Sequence, residues 1–265
     1  MKLGRLGFRF FLVAGLGVAV SIVALLVFAQ LTYSDRGGGG SPWHALAQRD
    51  VRSAIALSLF TATVAASVAL TIAVPAAYVL ARSTKRWMRV VDSLLDVPLV
   101  LSPVVIGISL MLLLRTSAGK WFEHSVMRVM FEVPGIIAAQ TVLALAMQIR
   151  VLKAAFEEVD PRFEQVARTL GCTPWGAFWR VTLPMARGGM IAAFVLGWSR
   201  ALGDFGATVT IAGATPNKTE TMPVAVYMNL ASVQISKALG LSVLLFLIAL
   251  VVLLLVRFTT ERRGA

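Results

Sequence analysis

"EQVARTLGCTPWGAFWRVTLP", residues 164–184, interrupts two long apolar runs with a segment far more polar than either. It carries Glu164, Arg168 and Arg180, prolines at 174 and 184, glycines at 171 and 176, and tryptophans at 175 and 179. Just upstream, Asp160-Pro161 is a strong helix start, because the carboxylate accepts from free backbone N–H groups and proline suits the first helical position. The pattern predicts a helix to Leu170 that stops at Gly171, where a residue without a Cβ takes the left-handed conformation at least cost. Thr173-Pro174 repeats the start signal. The second helix should end at Leu183, because Pro184 disfavours helical geometry in the residue before it. It places Trp175, Phe178 and Trp179 at i, i+3 and i+4, on one aromatic face. Such a face is either packing or a docking surface for a partner. The pattern leaves both open.

What surrounds the segment sets the fold class. Hydrophobic residues make up 58% of the 265 and charged ones 14%, against roughly 25% charged in a typical soluble domain. One globular core of this length cannot hide that excess. Apolar runs of about 20 residues recur, the length that crosses a hydrocarbon core of about 30 Å. Spans are expected near 10–31, 54–80, 97–114, 134–152, 189–213 and 238–256. In lipid, backbone polar groups must close their own hydrogen bonds, so only helices and closed barrels cross it. These runs lack the alternation of barrel strands. The expected fold is all-α, a polytopic membrane protein of about six transmembrane helices.

The net charge of +12 suggests nucleic acid until its placement is read. With six spans, sixteen basic residues fall in the N-terminus, 81–96, 150–188 and the C-terminus, and eight in the other loops. By the positive-inside rule the first set is cytoplasmic. Both termini and the 164–184 segment therefore face the cytoplasm of a cell (inner or plasma) membrane, and nucleic acid is not implied. The first run also reads as a signal peptide, with Val27-Phe28-Ala29 as its cleavage site, although its length favours a retained helix. "SDRGGGGSP" (34–42) reads as a flexible external linker. A single cysteine, Cys172, excludes an internal disulfide and a cysteine-rich metal site.

The segment resembles the cytoplasmic loop of ABC-importer permeases, whose motif is Glu-Ala-Ala, three residues, Gly, nine residues, Ile, one residue, Leu-Pro. Gln165-Val166-Ala167, Gly171, Val181 and Leu183-Pro184 match every spacing. Gln165, Val166 and Val181 depart from the consensus residues, and Glu164 precedes them as in molybdate-type permeases. "RALGDFGATVTIAG" (200–213) is similar to the fifth-span segment of oxyanion permeases, with Asp204 for the typical glutamate. "DVPLVLSPVVIGISLMLLL" (96–114) is similar to their proline-rich third span, with Ser102 where proline is common. The resemblance covers about 50–256 and implies the type I ABC importer permease fold. It divides the chain into an extra N-terminal helix and linker (1–50) and a permease domain (51–265) whose coupling loop is 153–188. In that family the loop, here Glu164, Gln165, Val166, Ala167, Gly171, Trp175, Phe178, Trp179, Val181, Leu183 and Pro184, sits in a cleft of the ATPase subunit.

Within the spans, Arg200 and Asp204 lie four apart and share a helix face. Each alone costs about 2.5–3.5 kcal/mol at the bilayer centre. Two readings stand: a buried ion pair locking this helix to a neighbour, or a cation on the route of a divalent oxyanion with Asp204 moderating its field. Gly203 and Gly206 weaken the helix and permit a bend. Thr208 offers a hydroxyl to an anion or back to its own helix. Pro98 and Pro103 free backbone groups in the third span and suggest a kink.

No Gly-x4-Gly-Lys-Ser/Thr occurs, so this chain should not hydrolyse ATP itself. His44 and His124 fall in external loops and no hydrolase motif is present, which argues against an intramembrane enzyme. No catalytic or metal site is expected. The resemblance implies a homodimer working with a cytoplasmic ATPase dimer that holds ATP-Mg, and with an extracytoplasmic oxyanion-binding protein. Molybdate is the first expected substrate, then tungstate, then sulfate or thiosulfate. A membrane scaffold without transport is the alternative from another class.

Overall fold

The computed structural model describes residues 48–261 continuously and only isolated positions between 14 and 32, with backbone alone at 253 and 255–261. The expected span at 10–31 and the linker at 34–42 lie largely or wholly outside the described residues. The elements are α1 (Arg49–Arg82), α2 (Arg86–Leu95), α3 (Val97–Val100), α4 (Pro103–Arg115), α5 (Ser117–Ser125), α6 (Val133–Glu158), α7 (Pro161–Thr169) and α8 (Pro174–Ala177). A π-helical turn (Phe178–Thr182) follows, then α9 (Leu183–Met185), α10 (Arg187–Leu202), α11 (Gly206–Ala212), α12 (Met222–Ala231) and α13 (Ile235–Glu261). No strand occurs among the described residues.

Three helices, α1, α6 and α13, are long and apolar enough to cross a bilayer. They coincide with the runs expected at 54–80, 134–152 and 238–256. Helix α6 continues past 152 to Glu158, because Leu152 and Phe156 are buried on its extension and Ala154 and Ala155 favour helix. At 34 residues, α1 is about 51 Å long, well beyond the hydrocarbon core. Part of it therefore extends beyond the hydrocarbon core.

The centre of the bundle is made from small residues. Ala62, Ala66, Ala69, Ala73 and Ala77 form a buried stripe on α1, and α10 presents Gly189, Ala193, Gly197 and Ala201 at every fourth position. Helix α6 packs along both, and α1 and α10 touch each other. Lipid tails are as apolar as leucine, so helix association in a membrane depends on close van der Waals approach, which small residues allow. A Cβ on Gly189 would overlap that of Ala155, whereas one on Gly188 meets nothing within 4 Å. Gly189→Leu is expected to cost about 1–3 kcal/mol by overpacking. Thermal unfolding of the solubilised protein should show a clearly lower Tm for Gly189→Leu and no change for Gly188→Leu.

The expected third and fifth spans are not continuous helices. The α2–α3 stretch and α4 meet at 110°. The reason is Pro103: the residue before a proline is pushed out of the helical region, and Leu101 and Ser102 are both extended (ψ 145° and 136°). Pro98 and Pro103 therefore sit in the first turns of α3 and α4 rather than kinking one helix from inside. The fifth run breaks between Leu202 and Gly206, giving α10 and the short α11. Beyond α11 the chain forms α12, which buries Met222, Val224 and Ala225. Met222 and Ala225 pack with Val51, Ala54 and Leu241.

Candidate functional site

The polar segment forms the predicted helix, glycine turn and helix start. Asp160 caps α7 by accepting from the Arg162 N–H at 2.9 Å, and Thr173 Oγ1 accepts from the Gly176 N–H at 3.1 Å. Gly171 turns the chain at φ +91°. Its N–H donates to the Arg168 carbonyl and the Cys172 N–H to that of Ala167, both at 3.1 Å.

The second helix departs from expectation. The π-helical turn puts Phe178 and Thr182 inward together. The three rings stay in mutual contact, with centroids 6.1, 5.8 and 5.8 Å apart, but they are buried to different depths. Phe178 is 8% exposed and packs its ring 4.8 Å from Tyr78, while Trp175 is 70% and Trp179 50% exposed. Phe163, Val166 and Leu170 of the first helix are also exposed. Phe178 thus lies on the packing side, and Trp175 and Trp179 lie on the outside. Gln165 is exposed beside a groove shared with Arg168, Thr169, Cys172 and Pro174. Ala167, Val181 and Leu183 are half-buried, and Pro184 is exposed.

Glu164 does not join the outer surface. Its carboxylate accepts from the Tyr78 hydroxyl (2.8 Å), from Arg82 Nε and Nη2 (3.1 and 2.8 Å) and from the Thr182 hydroxyl (2.8 Å). One side chain thereby ties α7 to the end of α1 and to the π turn. Burial by itself would raise the Glu164 pKa. The hydrogen bonds from Tyr78, Arg82 and Thr182, with the charge of Arg82, outweigh burial and hold it below the ordinary glutamate value. Sequence reading missed Tyr78, Arg82 and Thr182, because nothing local marks residues 86 and 82 positions away as partners.

The second cluster lies where the broken helices cross. A Cβ on Gly206 would sit 3.1 Å from the Cβ of Pro103, and one on Gly107 would sit 2.7 Å from Thr210 Cβ and 2.9 Å from the Ala207 carbonyl. The expected Pro103 and Gly206 are therefore brought together, along with Gly107, which the sequence reading did not single out. Asp204 lies in the break, and its Oδ2 accepts from the N–H (2.9 Å) and hydroxyl (2.8 Å) of Thr208. This caps α11. Asp204 is not on the same helix as Arg200, and the pair is loose at 4.0 Å, with Arg200 34% exposed and Asp204 fully buried. Gly203 is exposed at the end of α10. Pro98 lies apart from this crossing, in α3.

The bundle thus carries a braced polar segment at one end and two broken helices that cross within it. Residues 69–263 match the family of binding-protein-dependent transport system inner membrane components, and the chain belongs to that family. It is 34% identical to the sulfate transport system permease protein CysW of Synechocystis, over 92% of this chain and 89% of that protein. It is 35% identical to the molybdenum transport system permease protein ModB of Mycobacterium tuberculosis, over 80% and 81%. With ModB of Escherichia coli the identity is 36%, over 66% and 77%. Its fold matches a chain of a bacterial alginate ABC transporter solved with a pentasaccharide-bound periplasmic protein (TM-score 0.73, 15% identity, 98% and 96% covered). The chain is thus a transport subunit, not an enzyme, with the fold of ABC importer permeases. Its family works with a separate ATPase and a substrate-binding protein.

Proposed function

We propose that this chain is the membrane-spanning permease of an ATP-driven importer that carries a tetrahedral divalent oxyanion, molybdate first, into the cytoplasm. The observation that carries the coupling role is the exposed apolar surface of Phe163, Val166, Leu170, Trp175 and Trp179 on a segment braced from behind by Glu164. This apolar patch, beside Gln165 and Arg168, lies on the segment whose spacing matches the coupling-loop motif, and we read it as the surface that enters a cleft of the ATPase. The substrate class is supported by sulfate and molybdenum permeases at 34–36% identity, with tungstate and thiosulfate as further candidates.

In this reading two copies pair around the pathway, and the braced segment and both termini face the cytoplasm, as the basic residues favour. ATP-Mg is held by the ATPase dimer. Closing of that dimer drives the segments together and turns the cavity outward, and hydrolysis resets it. A binding protein delivers the anion from the other side. Residues 51–265 form the permease domain, and 1–50 an added helix and linker.

Arg200, loosely held by Asp204, leaves much of its guanidinium free to lower the Coulomb barrier for a passing dianion. The α4–α11 crossing at Pro103, Gly107 and Gly206 is the gate. Arg200→Ala should lower uptake tenfold or more while leaving assembly with the ATPase intact. Loss of assembly instead would make the pair structural.

The direct test is ATP hydrolysis by the permease–ATPase complex in proteoliposomes, with its binding protein loaded in turn with molybdate, tungstate or sulfate. Stimulation by one loaded form supports the importer and identifies the anion. A stable complex stimulated by none would overturn the oxyanion assignment. Failure to form a complex would favour a scaffold without transport.

A further inference from the structure

Helix α2 begins just after α1 ends and carries three stripes, each offset by one residue. Met88, Val91 and Leu95 are half-buried and pack against the core at this end of the bundle. Trp87, Val90 and Leu94, at i, i+3 and i+7, point away from the protein and are 58%, 70% and 67% exposed. Arg86, Arg89 and Asp92 make up the polar stripe. Asp92 is 2.6 Å from Lys153 of α6, and Asp96, which ends α2, pairs with Arg150 of the same helix. These two ion pairs fix the rotation of α2. Lys85, Arg86 and Arg89 have no acidic partner within 4 Å among the described residues, and all three are exposed.

The helix thus has one side for protein, one apolar side with a tryptophan, and a basic rim between that side and water. We propose that α2 lies in the headgroup layer of the leaflet at this end, with Trp87, Val90 and Leu94 in the acyl boundary and Lys85, Arg86 and Arg89 recruiting anionic phospholipid. An interfacial helix of this kind binds by buried apolar area together with attraction of its basic face to anionic lipid. Tryptophan favours that depth, where its ring is apolar and its N–H remains hydrated. A second copy is a poorer occupant. A two-fold contact through this face would set each basic rim near its like, with no acid on the outer side to compensate. The inference rests on the chain being a membrane permease and not on which solute it carries.

The test uses the full chain with Cys172→Ser and Leu94→Cys, a fluorescent label at 94, and assembly with its ATPase in vesicles. Quenching is compared for brominated phosphatidylglycerol and brominated phosphatidylcholine at equal mole fraction. Labels at 94 should be quenched by both lipids, and at least about fivefold more effectively by phosphatidylglycerol, since even one juxtamembrane cation contributes roughly 1 kcal/mol. High salt should shrink that preference. Lys85→Gln/Arg86→Gln/Arg89→Gln should reduce the ratio to near one, and the charge-conserving Lys85→Arg/Arg86→Lys/Arg89→Lys should restore it, both still assembling with the ATPase. Equal quenching by the two lipids in the unaltered chain, or a preference that survives the glutamine variant, overturns the proposal. So does absence of quenching, the result expected if a second copy covers the face. A chain that fails to assemble would instead count against the permease reading.

Discussion

Glu164→Ala is expected to detach the polar segment from the bundle while leaving the spans folded. The substitution removes four hydrogen bonds at once and strands Arg82, Tyr78 and Thr182 without their shared acceptor. Breaking one side of a buried ion pair costs about 3–5 kcal/mol. Arg82 and Glu164 retain 17% and 14% of side-chain exposure, so water screens part of the loss and about 2–3 kcal/mol is the expectation here. Hydrogen exchange should show faster exchange in 160–184 with little change in α6 and α10. Binding-protein-stimulated ATPase activity should fall at least tenfold. Uniformly faster exchange would mean that Glu164 holds the whole fold and not the segment alone.

The same contact has a defined pH dependence. Because the folded Glu164 pKa is lowered, the carboxylate's contribution is complete above the ordinary value of 4.5 and is lost as the pH falls through the lower folded value. Limited proteolysis in the segment should accelerate only at acid pH. Glu164→Gln, which cannot ionise, should show no such acid step.

Trp175→Ala is expected to weaken assembly with the ATPase by about 30-fold or more, in line with the roughly 2 kcal/mol or greater loss at interface hot spots rich in tryptophan. Trp175 is 70% exposed and its ring lies 5.8 Å from that of Trp179, on the outer side of the segment. Removing it creates no internal cavity, so thermal unfolding of the isolated chain should hardly change. Phe178→Ala should do the reverse. It empties the site packed against Tyr78 and Phe156 and should lower stability by about 3–5 kcal/mol. The pair of variants separates docking from packing: if Trp175→Ala leaves ATPase affinity unchanged, the outer surface is not the interface.

Composition and run length sufficed for the all-helical membrane class, because lipid leaves the backbone few alternatives. The caps at Asp160 and Thr173 and the turn at Gly171 were equally legible, since each depends on residues adjacent in sequence. The Leu-Pro spacing matched the coupling-loop motif of ABC-importer permeases, and the role proposed for the segment comes from that resemblance. What lay beyond local pattern was direction and partnership. A proline in an apolar run can kink a span or start a new helix, and only the 110° turn at Leu101-Ser102 decides between them. Arg200 and Asp204 satisfy the spacing of a helical pair and stand 4.0 Å apart, yet the break after Leu202 gives the carboxylate's hydrogen bonds to Thr208. By itself the sequence marked the runs that form the three long apolar helices and the starts of the short helices at Asp160 and Thr173, through burial and backbone hydrogen bonding. Only the tertiary structure decided that Glu164 faces inward, that Phe178 is buried while the two tryptophans beside it stay exposed, and that Pro103 meets Gly206, because those outcomes depend on groups far apart in the chain.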